Sequence, residues 1–69
     1  MMEDLELRMK DGKTSYFFDS TWNVVSGCVV VSEYEPDDEL GGYRNIHNYA
    51  FDCEDVEYVR TITPVSVGE

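Results

Sequence analysis

The feature that most restricts the fold is a period-two alternation of apolar and polar residues, broken at short intervals by turn-forming residues. Leu5, Leu7 and Met9 fall on one side of residues 5–10, and Glu6, Arg8 and Lys10 on the other, the pattern of a half-buried strand. Asp11-Gly12 follows, a dipeptide suited to a two-residue type I′ hairpin because both central positions of that turn need positive φ. Residues 13–18 then return as a second strand rich in Thr, Tyr and Phe, with Tyr16 and Phe18 on one face, Phe17 on the other, and cover expected over both. No segment carries a helical period, and the chain shows no internal repeat.

Beyond a polar connection at residues 19–21, residues 22–25 and 28–35 form a second hairpin about Ser26-Gly27. The β-branched, uncharged run Cys28-Val29-Val30-Val31 predicts a central strand with both faces covered. Residues 36–42 (Pro-Asp-Asp-Glu-Leu-Gly-Gly) form the longest loop. Residues 43–51 alternate again, as one long strand or two short ones with a bend. Residues 52–55 make a single turn of 3₁₀ character, and the last strand runs over residues 56–63 until Pro64 stops it, ahead of a tail at 65–69.

The predicted fold is therefore all-β. About five antiparallel strands in a meander form a small, partly open barrel or strongly curved sheet, without substantial helix. With 69 residues there is room for one domain, whose core spans residues 5–63. Trp22 and Tyr16 are assigned to that core. The passage from strand through a short turn into the last strand, residues 51–59, resembles small SH3-like and Sm-like barrels. The resemblance is one of topology and implies a curved five-stranded sheet.

Charge is the second constraint. Fifteen acidic against five basic side chains leave −10, above the roughly 2 to 8 charges that keep a small domain soluble. Residues 1–32 carry five acids and three bases; residues 33–69 carry ten acids and two bases, so most of the excess lies in the second half. Nine aromatic residues supply enough apolar area to offset chain entropy, which argues against disorder. Such a surface repels phosphates, so of the roles considered direct nucleic-acid binding is the least expected, and no direct nucleic-acid partner is expected. The N-terminal residues lack the apolar run of a secretory signal, and residues 20–32 are too few and too polar to span a bilayer as a helix. A cytoplasmic protein without a membrane partner is expected.

Two clusters hold the excess acid: Glu33, Glu35, Asp37, Asp38 and Glu39, then Asp52, Glu54, Asp55 and Glu57. Residues two apart on a strand lie about 6.6 to 6.8 Å apart, so Glu33 and Glu35 form a row with nearly the repeat of a nucleic-acid backbone. Pairing of the strands on either side of the 36–42 loop would let the two clusters share one side of the barrel. A groove that collects phosphates with Lys and Arg would attract such a row. Tyr34 and Tyr43, flanked by the acids, suit anchoring because aromatics bury area at low entropic cost. The same charges also serve plain solubility.

The remaining constellations point away from catalysis and metals. The acids of the 36–47 region lack the alternation, glycine and flanking helices of a calcium loop. Cys28, His47 and Cys53 lack a Cys-x-x-Cys pair for zinc, and read instead as partly buried reduced thiols and a strand histidine; a single Cys28–Cys53 bridge is the alternative. One histidine and a Gly41-Gly42 pair without a following lysine and helix offer neither a nucleophilic triad nor a phosphate cradle. The expectation is a non-catalytic protein without cofactor or metal.

In size, charge and interleaving of aromatics with acids, the segment around Glu33, Tyr34, Glu35, Asp37, Asp38, Glu39 and Tyr43, with Asp52, Glu54, Asp55 and Glu57, resembles the small acidic inhibitors of phages and mobile elements, including DNA-mimicking anti-CRISPR proteins. That class resemblance implies a stoichiometric inhibitor acting in the host cytoplasm. Its partner would be a larger host protein with a basic nucleic-acid-binding groove, contacted through those residues. The alternative is a structural or accessory β-domain that works by homo-oligomerisation, for instance as a homodimer through an open edge strand.

Overall fold

The computed structural model describes residues 2–62. Five strands, β1 (Glu3–Met9), β2 (Thr14–Val25), β3 (Cys28–Pro36), β4 (Tyr43–Asp52) and β5 (Val56–Ile62), form one antiparallel sheet in the order β4-β3-β2-β1-β5. The first four strands meander and β5 returns to the free side of β1. The only helical element among the described residues is a 3₁₀ turn, Cys53–Asp55. No described helix is long and apolar enough to cross a membrane. The expected last strand position Thr63, the stop at Pro64 and the tail at 65–69 lie outside the described residues.

The type I′ conformation expected at Asp11-Gly12 is found at the other hairpin turn. At Asp11-Gly12 only Gly12 has positive φ (96°), and the Gly12 amide donates to the Met9 carbonyl at 2.9 Å while the Met9 amide donates to the Lys13 carbonyl at 2.8 Å. This is a three-residue loop in which glycine takes the left-handed position. The Asp11 carboxylate caps it by accepting from the Lys13 amide at 2.9 Å. The type I′ signature appears instead at Ser26-Gly27, where both residues have positive φ, 50° and 77°, between the paired Val25 and Cys28.

Residues 19–21, expected as a connection, lie within β2, which runs unbroken for 12 residues. Asp19 is in the left-handed region (φ 51°), and between Glu3/Leu5 the pairing with Ser20/Phe17 inserts one extra residue on β2, a β-bulge. The Asp4 carboxylate secures it by accepting from the Asp19 amide at 3.2 Å. The bulge lets β2 change partner: Thr14–Ser20 pairs with β1, and Ser20–Val25 with β3.

The bend folds the sheet on itself. Through β3, Tyr49 of β4 is level with Trp22 of β2, five positions from Phe17, yet the Phe17 and Tyr49 rings are 5.3 Å apart. In a flat sheet five positions would separate them by about 17 Å along the strand. The core lies inside this fold: Leu5, Leu7, Phe17, Val29 and Val31 are buried, with Met9, Phe51, Cys53, Val56 and Val59 packed against them. The 3₁₀ turn closes one end, since the Cys53 amide donates to the Gly27 carbonyl and the Lys10 amide to the Asp55 carbonyl, each at 2.9 Å. The sheet does not close into a barrel, because β4 and β5 remain its two edges.

Among the described residues the apolar core occupies one face of the sheet. Tyr16 and Trp22, assigned to the core by sequence, are 55% and 43% exposed, and Phe18 is 60% exposed. Tyr16 pairs with Glu6 on the outer face, away from Leu5 and Leu7. Trp22 shares the inner side with Val31, but it stands on the half of β2 that extends past the pairing with β1, where no opposing strand reaches it among the described residues. Val30, expected to be covered within a two-sided central strand, is half-buried because it stands on the outer face, over which no second layer of strands or helices packs among the described residues.

Candidate binding surface

Apart from Glu57, which is on β5, the acidic residues singled out by sequence lie along the β3–β4 hairpin and in the turn just beyond it. Directly opposed residues of antiparallel strands share a face. Glu33 opposite His47 and Glu35 opposite Arg44 therefore stand on the inner side, whereas Tyr34 opposite Asn45 and Tyr43 opposite Pro36 stand on the outer side. The carboxylate row and its proposed tyrosine anchors thus occupy different faces. Tyr43 is 55% exposed and Tyr34 is half-buried.

Each member of the row has a local partner. The Glu33 carboxylate lies 3.7 Å from His47 Nδ1, and its hydrogen bond with the Tyr49 phenol pushes that phenol above its ordinary range. Glu35 pairs with Arg44 at 3.3 Å. Asp37 serves the loop: its Oδ1 accepts from the Glu39 and Leu40 amides at 3.0 and 3.1 Å. Asp38 and Glu39 are exposed and have no side-chain hydrogen bond or ion pair among the described residues.

The second cluster stands at the other end of the hairpin. Asp52 pairs with Cys28, and its carboxylate caps the 3₁₀ turn by accepting from the Glu54 amide at 3.0 Å. Glu54 and Asp55 are exposed, while Glu57 lies across the sheet, paired with Arg8 at 3.1 Å. The nine residues of β3 separate the ends by about 27 Å, at some 3.4 Å per step. The clusters therefore do not merge; they bracket the hairpin.

Between them runs β4, an edge strand of 10 residues that pairs only with β3 among the described residues. Every β4 residue except Phe51 is exposed, and Tyr43, Ile46 and Tyr49 are the large apolar groups. A shift between Glu33/Tyr34 and His47/Asn45 places a bulge at Ile46. Asn45 holds it by donating from Nδ2 to the Glu33 and His47 carbonyls at 3.0 and 3.3 Å, and Asn48 Nδ2 donates to Asn45 Oδ1 at 3.0 Å. Sequence reading missed this asparagine pair; their signal is the readiness of Asn to bond nearby backbone.

On the outer face Glu6 is buried beneath Tyr58 and Arg60. The Tyr58 hydroxyl donates to Glu6 Oε2 at 2.5 Å and Arg60 Nη2 lies 3.1 Å from the same oxygen. The Tyr58 hydrogen bond, helped by Arg60, holds the Glu6 carboxyl below the usual range, and the same bond raises the Tyr58 phenol. All partners in this cluster are satisfied, which suits a structural tie between β1 and β5. Among the described residues Cys28 and Cys53 are free thiols, and no group of three His, Cys, Asp or Glu side chains is placed to hold a metal ion.

No protein family, curated protein or solved structure matches the chain.

Proposed function

We propose that this protein is a non-catalytic acidic binder that docks on a basic, nucleic-acid-binding surface of a larger protein and blocks it. One observation carries the reading: the exposed flank of the β3–β4 hairpin has at both ends acids that are unpaired among the described residues, and aromatic and apolar groups between them. Asp38 and Glu39 stand at one end and Glu54 and Asp55 at the other, and the strand that joins them presents Tyr43 on its outer side, Tyr49 on its inner side and Ile46 at the bulge between them. An apolar centre within a charged rim is the usual anatomy of a protein interface. The field of a −10 chain favours encounter with a cationic groove built for phosphates.

The test is a variant carrying Asp38→Asn, Glu39→Gln, Glu54→Gln and Asp55→Asn together. None of these side chains accepts a hydrogen bond among the described residues, so the fold is expected to persist. The immobilised wild-type chain should retain a basic nucleic-acid-binding protein, displace that protein's nucleic acid, and release it as salt rises. The variant should compete at least about tenfold less well, since each lost charge contact at a wet interface is worth a few tenths to one kcal/mol. Equal competition by the two proteins, or retention without displacement, would overturn the reading.

A further inference from the structure

We infer that β4 is the docking edge for an extended segment of the partner, which adds as a sixth strand through main-chain hydrogen bonds and carries basic residues at both ends. This inference rests on the proposed function for the partner's positive charge, and adds the mode of contact.

An edge strand presents a row of unpaired N–H and C=O groups, and proteins usually guard such edges with lysine, proline, shortness or cover. The two edges of this sheet differ in length: neither contains lysine or proline, and each carries one positive and one negative side chain and one pairing irregularity. The β5 edge has 7 residues, a pairing irregularity at Met9, and the charged Glu57 and Arg60. The β4 edge has 10 residues, contains neither lysine nor proline, and carries one positive and one negative side chain, Arg44 and Asp52. Its single irregularity, the bulge at Ile46, leaves six regular residues, 47–52, beside β3. That length matches an ordinary strand of five to six residues.

Charge selects the occupant. A second copy pairing antiparallel along β4 would set the Asp38-Glu39 end of one chain against the Glu54-Asp55 end of the other. Parallel pairing would set each acidic end against its own copy. Either arrangement places like charges side by side, which is destabilising. A segment with Lys or Arg about eight residues apart and β-branched residues between them meets opposite charge at both ends, about 27 Å apart. Strand addition of this kind takes affinity from the main chain and specificity from alternate side chains.

The probe is the peptide acetyl-Lys-Arg-Val-Thr-Val-Thr-Val-Arg-Lys-amide, added to the full-length protein while backbone amide hydrogen exchange is followed residue by residue. Alternate amides within residues 43–52 should exchange at least about tenfold more slowly with peptide than without, and the protection should fall as salt rises. A second peptide, methylated on the backbone nitrogen of every internal residue, keeps the charges but loses the main-chain donors of both its edges; it should leave β4 exchange unchanged. Binding of both peptides without protection of β4 would overturn strand addition while leaving the acidic-binder reading intact. No binding of either peptide, and no retained basic protein, would overturn both. Protection of every β4 amide in the free protein would also overturn the inference: dependence on protein concentration would give the edge to a second copy, and independence to residues of the same chain.

Discussion

Removing the Leu7 side chain beyond Cβ tests whether the sheet has one covered face, with Val25→Ala as the comparison. Leu7 is fully buried within the bend, and Val25 is 51% exposed on the outer side of β2. Leu7→Ala deletes three carbons, worth about 0.8 kcal/mol each in transfer, and leaves a cavity that raises the cost to about 3 kcal/mol or more. Val25→Ala deletes two carbons that are already half in water and leaves no enclosed cavity, so about 0.8 kcal/mol is lost. A chain of this size has a total stability of about 3 to 10 kcal/mol, so the first variant removes a large share of it. At about 4 to 8 °C per kcal/mol, the expected fall in Tm is about 12 to 24 °C for Leu7→Ala and about 3 to 6 °C for Val25→Ala. Circular dichroism melts at two protein concentrations tenfold apart provide the assay. Melts that coincide for the two variants, or a Val25→Ala cost that grows with concentration, would refute the one-faced core and show a partner copy over the outer face.

Ser26 holds a left-handed conformation that costs an L-residue about 1 kcal/mol or more, so Ser26→Gly should raise Tm by a few degrees in the same melts; a lower Tm would refute the type I′ assignment. Tyr58→Phe removes the donor that makes Glu6 more acidic in the fold than in the unfolded chain. A depressed carboxyl stabilises above the ordinary range near about pH 4.3 and loses that contribution as pH falls through its folded value. The gap in urea midpoint between wild type and Tyr58→Phe should therefore be widest near neutrality and close as pH falls below the ordinary carboxylate range, whereas a constant gap would refute the hydrogen bond as its cause. Raising salt from about 0.01 to 0.5 M should increase the wild-type Tm, because screening relieves self-repulsion of the −10 chain; a Tm that falls would mean that the surface ion pairs outweigh the repulsion.

What could be read from sequence follows from how locally each feature is determined. Strand positions were legible because alternation such as Leu5, Leu7, Met9 is itself the record of one buried face. The 36–42 loop and the 3₁₀ turn were legible because proline, glycine and Asp52 act on their own neighbours. The bulge at Asp19 was not: a polar Asp-Ser-Thr stretch reads as a connection, and only the change of partner from β1 to β3 shows it to be the bend of one long strand. Missing that bend carried the misplacement of Trp22, whose side of the sheet is apolar but whose half of β2 outruns the strand that would cover it. The acidic residues were found individually, yet their grouping depends on the length of the hairpin. Nine residues of β3 hold the two clusters apart at its ends, and residue spacing alone does not say which strand lies at the edge.

The charge and the open edge can be understood together. A −10 chain works against its own compact state, because within a body 38 Å in its longest dimension every acid feels several others at low salt. The edge works against solubility, because ten residues without lysine or proline invite pairing with any other strand. Acids at both ends of that edge make the second liability selective. An acidic strand meets repulsion as it approaches β4, as does the β4 of another copy with its own acidic ends, whereas a strand with basic ends is drawn in by the same field. Local guards such as an inward lysine would close the edge to every partner; guards placed at its ends leave the backbone open to one class of partner. On this reasoning the charge that lowers stability is also what lets an unprotected strand remain exposed in a small chain without self-pairing.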